Sequence, residues 1–321
     1  MRWIAIAAFM AAGLAACGNA PSANDEGAEQ MAELTPIREM WNFQDPAASE
    51  TAFRTLAAEA ETAGNDAYAA EAMTQVARTF SLRGDFDQAN ATLDVVDEGP
   101  QGSVPVVRVR SLLERGRTLN SGGQPDVALP LFEEAYEIAA ANGEDFLAGD
   151  ALHMAGIAAD IEGERHWVGV LGQFVDGRPD SPANYWFGAM HNNLGWSYMS
   201  AERFEEALTE FQASRDAYAA MEGKRYETLI ADYSVGQAMR RLDRCEAALP
   251  LQEQTFEAIR TEFDQEDEYV AEEIALCRAA LGDTEGAREP ASLAYGKFSA
   301  QSWFVESEAE RLEALRELAG D

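Results

Sequence analysis

HNNLGWSYMSAERFEEALTEFQAS, running from His191 to Ser214, decides the fold. Its small and large residues alternate at helical spacing: Leu194-Gly195, then Tyr198, Phe204, Ala207, Phe211 and Ser214. Apolar positions three and four apart on both sides of a short polar break describe two amphipathic helices folded back on each other. The same skeleton recurs along the chain. One copy runs Val76-Ala77, Phe80, Gly84, Phe86, Ala89, Leu93, Val96, and another Gly116, Leu119, Gly123, Ala128, Phe132, Ala135. Weaker copies are Val235-Gly236, Met239, Ala248, Thr255 and Ile274-Ala275, Gly282, Ala287, Ala294.

Units therefore begin near residues 70, 109, 148, 188, 229 and 268, a period of about 40 residues. In each, a small eighth residue lets two helices approach, an aromatic or leucine three later fills the hairpin, and a small twentieth residue makes the matching contact. This skeleton resembles the tetratricopeptide repeat, in the long variety found in kinesin light chains, over roughly residues 66–300. The resemblance implies an all-α superhelical solenoid of antiparallel hairpins, about six repeats plus terminal caps.

The ends and the middle depart from the pattern. Asp45-Pro46 reads as a helix N-cap and first-turn proline, opening a helix to about Thr62 that Gly64-Asn65 ends. With Ile37 to Phe43 it predicts an N-terminal capping hairpin. Leu312, Leu315 and Leu318 amid charges predict a C-terminal capping helix from about Ser302. Val104 to Val109 looks strand-like where a helix should begin. In the unit from 148, Trp167 replaces a small residue, and Gly169, Gly172 and Gly177 are expected to interrupt the second helix.

Before the repeats lies a different kind of segment. Arg2 precedes an apolar run, Trp3 to Leu14, too short to be a permanent membrane span, and the run ends Leu14-Ala15-Ala16-Cys17. This resembles the bacterial lipoprotein signal, which implies cleavage after residue 16 and lipidation of Cys17 with two acyl chains on glycerol and one on the amine. Gly18, where an aspartate retains enteric lipoproteins in the inner membrane, favours the outer membrane, facing the periplasm. Residues 17–34 read as a flexible tether and 35–321 as the repeat domain.

The composition sets limits on partners. Lys+Arg total 24 against 57 Asp+Glu, a formal net charge of −33, and the signal carries one of the arginines. That balance excludes nucleic acid, whose affinity rests on neutralising phosphates, and an anionic membrane surface as direct ligand. Cys245 and Cys277, 32 apart, are either a disulfide or two small buried hydrophobes.

The repeat resemblance also implies a ligand face, on the second, fifth, ninth, twelfth and thirteenth residues of each unit. Those positions hold Arg78, Arg110, Arg117, Arg240 and Arg241 against Glu71, Asp160 and Glu272, with Asn120, Asn192 and Gln237 adding polar groups. A groove with more basic than acidic residues, in an acidic chain, suits a peptide carboxylate. The competing reading pairs these arginines with neighbouring acids. Trp167, Phe174, Tyr185, Trp186, Phe187 and Trp196 crowd the irregular centre; Trp196, at a ninth position, is expected to face ligand and the others to fill space. His153, His166 and His191 lack the spacing of a zinc site, and neither metal nor cofactor is expected. No nucleophile elbow, phosphate loop or zincin helix occurs. The resulting expectation is a non-enzymatic, lipid-anchored scaffold for another protein or peptide of the envelope. The alternatives are a glycan-active α/α toroid with paired carboxylates and a structural spacer without a specific ligand.

Overall fold

A computed structural model describes residues 36–320 as helices joined by short turns, with no strand among them. The chain divides into two compact units, meeting between Asn184 and Tyr185. The N-terminal body opens with a 3-10 turn, Ile37–Met40, followed by α1 (Pro46–Thr62), α2 (Asp66–Leu82), α3 (Phe86–Glu98), α4 (Pro105–Ser121), α5 (Pro125–Asn142), α6 (Asp145–Ala158) and α7 (Ile161–Val175). The C-terminal body contains α8 (Trp186–Ser200), α9 (Phe204–Ala219), α10 (Arg225–Arg241), α11 (Cys245–Phe263), α12 (Glu268–Ala280), α13 (Thr284–Ser299), α14 (Ser302–Ser307) and α15 (Ala309–Ala319). Each even-numbered helix from α2 to α12 pairs with the next odd one. Within a body, first helices also pack on first helices, α2 on α4 and α4 on α6, and α10 on α12. The fold is tetratricopeptide-like.

Local chemistry explains where the helices start and turn. Asp45, Asn65, Asp85, Asp160, Asp267 and Asp283 cap helix N-termini, each accepting a backbone N–H. Pro105 and Pro125 occupy first helical positions, where a missing N–H costs nothing. The strand-like Val104–Val109 run is therefore mostly the first turn of α4: the proline sets φ, and Val107 and Val109, on nearly opposite sides of the helix, are both buried. In five of the six hairpins, all but α6–α7, the chain passes through a left-handed residue between the two helices. Gly84, Gly123 and Gly282 supply it in three hairpins, Glu202 and Asp243 in two others with φ near 59° and 58°.

Two expectations are corrected. α7 runs unbroken through Gly169 and Gly172, which sit on a face with nothing within 4 Å of a would-be Cβ; the left-handed Gly177 follows the helix. An open face tolerates glycine at a cost of about 1 kcal/mol in propensity, too little to break a packed helix. The N-terminal cap is a single helix, α1, with a 3-10 turn, not a hairpin. At the other end the cap comprises two helices, α14 and α15, with Phe304 and Leu315 fully buried against α13's Phe298.

Hairpin packing rests on the eighth position of each unit. A Cβ on Gly116 would lie 2.4 Å from the Phe132 ring, and one on Gly195 2.5 Å from Phe211. On Gly236 it would lie 2.2 Å from Gln252. The partner is thus the twenty-fourth residue of the unit. Where the eighth is alanine, at Ala77, Ala155 and Ala275, the twenty-fourth is Leu93, Leu171 or Ala291, all fully buried. In four hairpins glycine thus pairs with phenylalanine and alanine with leucine, which keeps the volume of those pairs nearly constant, as close packing demands; the Gly236–Gln252 and Ala275–Ala291 pairs are smaller.

Candidate functional site

The sixth residue of every unit is polar and buried: Gln75, Glu114, His153, Asn193, Ser234 and Glu273, none more than 9% exposed. Two of these, Glu114 and Glu273, lie beside three of the five arginines of the expected ligand face, Arg78, Arg117 and Arg240. In the N-terminal body, Glu114 accepts from Gln75 Nε2 at 3.3 Å and from Arg117 Nη1 at 2.7 Å. Arg78 Nη1 lies 3.9 Å from it. Arg117 also donates from Nη2 to both oxygens of Asp150, at 2.6 and 2.7 Å. Arg110 donates from Nε to Glu71 at 2.7 Å. Each link joins a first helix to the next or to its own preceding turn.

Burial and pairing compete here, and the outcome differs by residue. Burial opposes the charge of Asp150, but Arg117 beside it holds the carboxyl below the usual range. Burial likewise works against Arg117, and Asp150 and Glu114 outweigh it, so its proton is held more tightly than usual. At Glu71 burial wins over Arg110, and the carboxyl is raised. Burial depresses Arg78, with Arg117 adding like-charge repulsion; its guanidinium lies over the Trp41 and Phe43 rings at 5.1 and 5.5 Å. Burial pushes His153 down to about 4, so the imidazole is neutral at pH 7.

The C-terminal body repeats the arrangement. Glu273 accepts from Arg240 Nε at 2.5 Å and Nη2 at 2.9 Å, and from Gln237 Nε2 at 3.0 Å. Glu272 is held by Arg311 of α15, whose guanidinium lies 5.2–5.8 Å from the Tyr269, Phe298 and Phe304 ring centres. Gln237, Arg240, Arg241, Glu272, Glu273, Leu276 and Arg311 line one cavity of about 310 Å³. Three arginines and two carboxylates line it. Arg240 and Arg311 are committed to those carboxylates. Arg241 stacks on Phe204 at 4.3 Å and pairs with no carboxylate among the described residues. The Gln237 amide oxygen is buried without a hydrogen-bond partner. Among the lining side chains, Arg241 is thus the cation that no described carboxylate pairs with, and Gln237 carries a buried, unsatisfied oxygen.

The other expected residues fall as follows. Asn120 and Asn192 are half-buried on α4 and α8. Trp196 is half-buried too, its ring edge-on to Phe211 at 5.2 Å and tilted against Tyr233 at 6.5 Å, so it joins the packing between the α8 and α10 hairpins. Trp167 and Phe174 pack on the core around Phe132, whereas Phe187 stacks on His191 at 5.9 Å. His191 Nδ1 lies 2.6 Å from Glu210 Oε2. Among the described residues no group of three or more His, Cys, Asp or Glu could hold a metal ion. No described helix is long and apolar enough to cross a membrane. Cys17, the signal and the tether lie outside the described residues.

The sequence face counted five arginines against three acids because Glu114, Asp150 and Glu273 sit at third and sixth positions, outside the counted columns. Reading the sixth column of the aligned units would have found this polar series. Arg311 had no such signal, because it belongs to the cap.

No family model matches the chain, and no curated protein matches it. Solved structures with similar folds include a tetratricopeptide repeat protein from Parabacteroides merdae, 12% identical with a TM-score of 0.45, covering 89% of this chain and 97% of that one. The kinesin light chain TPR-like repeats of Podosopora anserina are 17% identical, with a TM-score of 0.35 over 72% of this chain and 95% of that one. NprR in complex with its cognate peptide NprX is 15% identical, TM-score 0.43, covering 87% and 82%.

Proposed function

We propose that this protein is a lipid-anchored scaffold of the bacterial envelope that binds another protein or peptide through its first helices. The observation that carries the binding role is the α10–α12 cavity, with Arg241 unpaired by any described carboxylate and the Gln237 oxygen unsatisfied. An acidic side chain or a terminal carboxylate pairs with the first, and rotation of the buried Gln237 amide on binding brings the second to a peptide N–H. Arg240, held by Glu273, shapes the wall. Arg78, Arg110, Arg117, Asn120, Asn192 and Trp196 extend the same kind of surface on their own helices, with the arginines already neutralised by acids. Anchoring rests on Leu14-Ala15-Ala16-Cys17, and the placement proposed is the outer membrane, facing the periplasm.

Two experiments test this reading. Arg241→Glu should abolish co-purification of a partner without changing the far-ultraviolet circular dichroism; unchanged capture removes the cavity from the account. Metabolic labelling with an alkyne-tagged palmitate should mark the wild type and not Cys17→Ala. An unlabelled wild type removes the anchor and leaves the cavity untouched.

A further inference from the structure

Cys245 is the first residue of α11, and Cys277 lies in the last turn of α12. With Ala248 they form a small buried cluster, covered by Met239 and Leu249. Cys245 is 6% exposed and Cys277 fully buried. Both thiols are free in the structure. Two free thiols in one small buried cluster, on consecutive helices and 32 apart in sequence, are placed so that a bond between them can be tested.

We propose that Cys245 and Cys277 are a dithiol–disulfide modification site that ties the start of α11 to the end of α12. The oxidant is a disulfide, R–S–S–R, of the low-molecular-weight or protein type. Cys245, with its exposed edge, attacks first as thiolate. The R–S–S–R bond breaks, a Cys245–S–S–R bond forms, and one R–S⁻ leaves. Cys277 then gives its proton to that thiolate and attacks the Cys245 sulfur. The mixed disulfide breaks, the Cys245–Cys277 bond forms, and a second R–S⁻ leaves and takes a proton from water. Two protein thiols are oxidised and one external disulfide becomes two thiols. Burial and the neighbouring Cys245 thiol raise Cys277, so it is suited to the second, intramolecular step and not to the first. The bond would clip a loop containing all of α11, and Cys277 lies one helical turn beyond Glu273, which holds Arg240. The proposal does not depend on the peptide-binding reading.

The test uses the purified full-length chain equilibrated, under native conditions, with oxidised and reduced glutathione at several ratios. Samples are acid-quenched, alkylated and mapped by mass spectrometry without reduction. The expected result is a linked Cys245–Cys277 peptide pair that dithiothreitol separates, with no glutathione retained on either residue, and a Tm raised by several degrees on oxidation. In Cys277→Ala, Cys245 should carry glutathione and the oxidative rise in Tm should vanish. In Cys245→Ala, Cys277 should stay a free thiol. The proposal is overturned if both thiols remain alkylatable at every glutathione ratio, if the pair links only in urea, or if each takes up glutathione separately.

Discussion

Replacing Gly195 by alanine puts a methyl group 2.5 Å from two carbons of the Phe211 ring, where carbon atoms in contact sit about 3.5–4.0 Å apart. The ring must move about 1 Å. It is fully buried and flanked by Trp196 at 5.2 Å, so its retreat disturbs the next hairpin. Overpacking of this kind costs about 1–3 kcal/mol or more. Alanine's better helix propensity returns about 1 kcal/mol. Gly195→Ala is therefore expected to destabilise by about 1–2 kcal/mol. Phe211→Leu alone, which opens a void, should cost about 2 kcal/mol. Combined, the new methyl fills part of that void and reproduces the alanine and leucine found at the same positions in the α2–α3 and α6–α7 hairpins. The double variant should cost about 1–2 kcal/mol, a favourable coupling of about 2 kcal/mol. Native-state hydrogen exchange of the α8 and α9 amides, with urea unfolding, measures each value. Additive losses within about 0.5 kcal/mol, or a Gly195→Ala variant more stable than the wild type, would refute the size-pairing argument.

Other predictions follow from single observations. Glu273→Ala leaves Arg240 without its carboxylate and should destabilise by about 3 kcal/mol in urea unfolding. Asp243→Gly relieves a left-handed φ near 58° and should stabilise by about 1 kcal/mol, seen as a higher Tm. His153 titrates near 4 when folded against about 6.5 unfolded, so below 6.5 the unfolded chain binds the extra proton. Its contribution is present above pH 6.5 and is lost as the pH falls to about 4, by about 3 kcal/mol in all. His153→Asn should flatten that part of the stability–pH curve.

How far the fold could be read from sequence depended on what each feature requires. Helical hairpins follow from local spacing: Gly195, Tyr198 and Phe211 carry their meaning within one unit, and each cap signal lies within a few residues of its helix start. The expected break in α7 failed because Gly169 and Gly172 face open space, and exposure is decided by neighbouring helices. The binding face was legible as a set of positions and illegible as a charge balance. Whether Arg117 or Arg240 is available depends on Asp150 and Glu273, 33 residues away on the next first helix. Arg241 differs from Arg240 by one residue in sequence. The two are told apart only by what lies across from them, a carboxylate for one and the Phe204 ring for the other.

The most direct test of the proposed scaffold is site-specific photocrosslinking in living cells. A photoreactive amino acid replaces the cavity-lining Leu276 in one strain and the exposed Val95, on α3, in another. We expect one discrete protein partner crosslinked at 276 and nothing comparable at 95. It should disappear when Arg241→Glu is introduced beside the probe. Equal crosslinking at both positions, or none at 276, would contradict a binding role for the α10–α12 cavity.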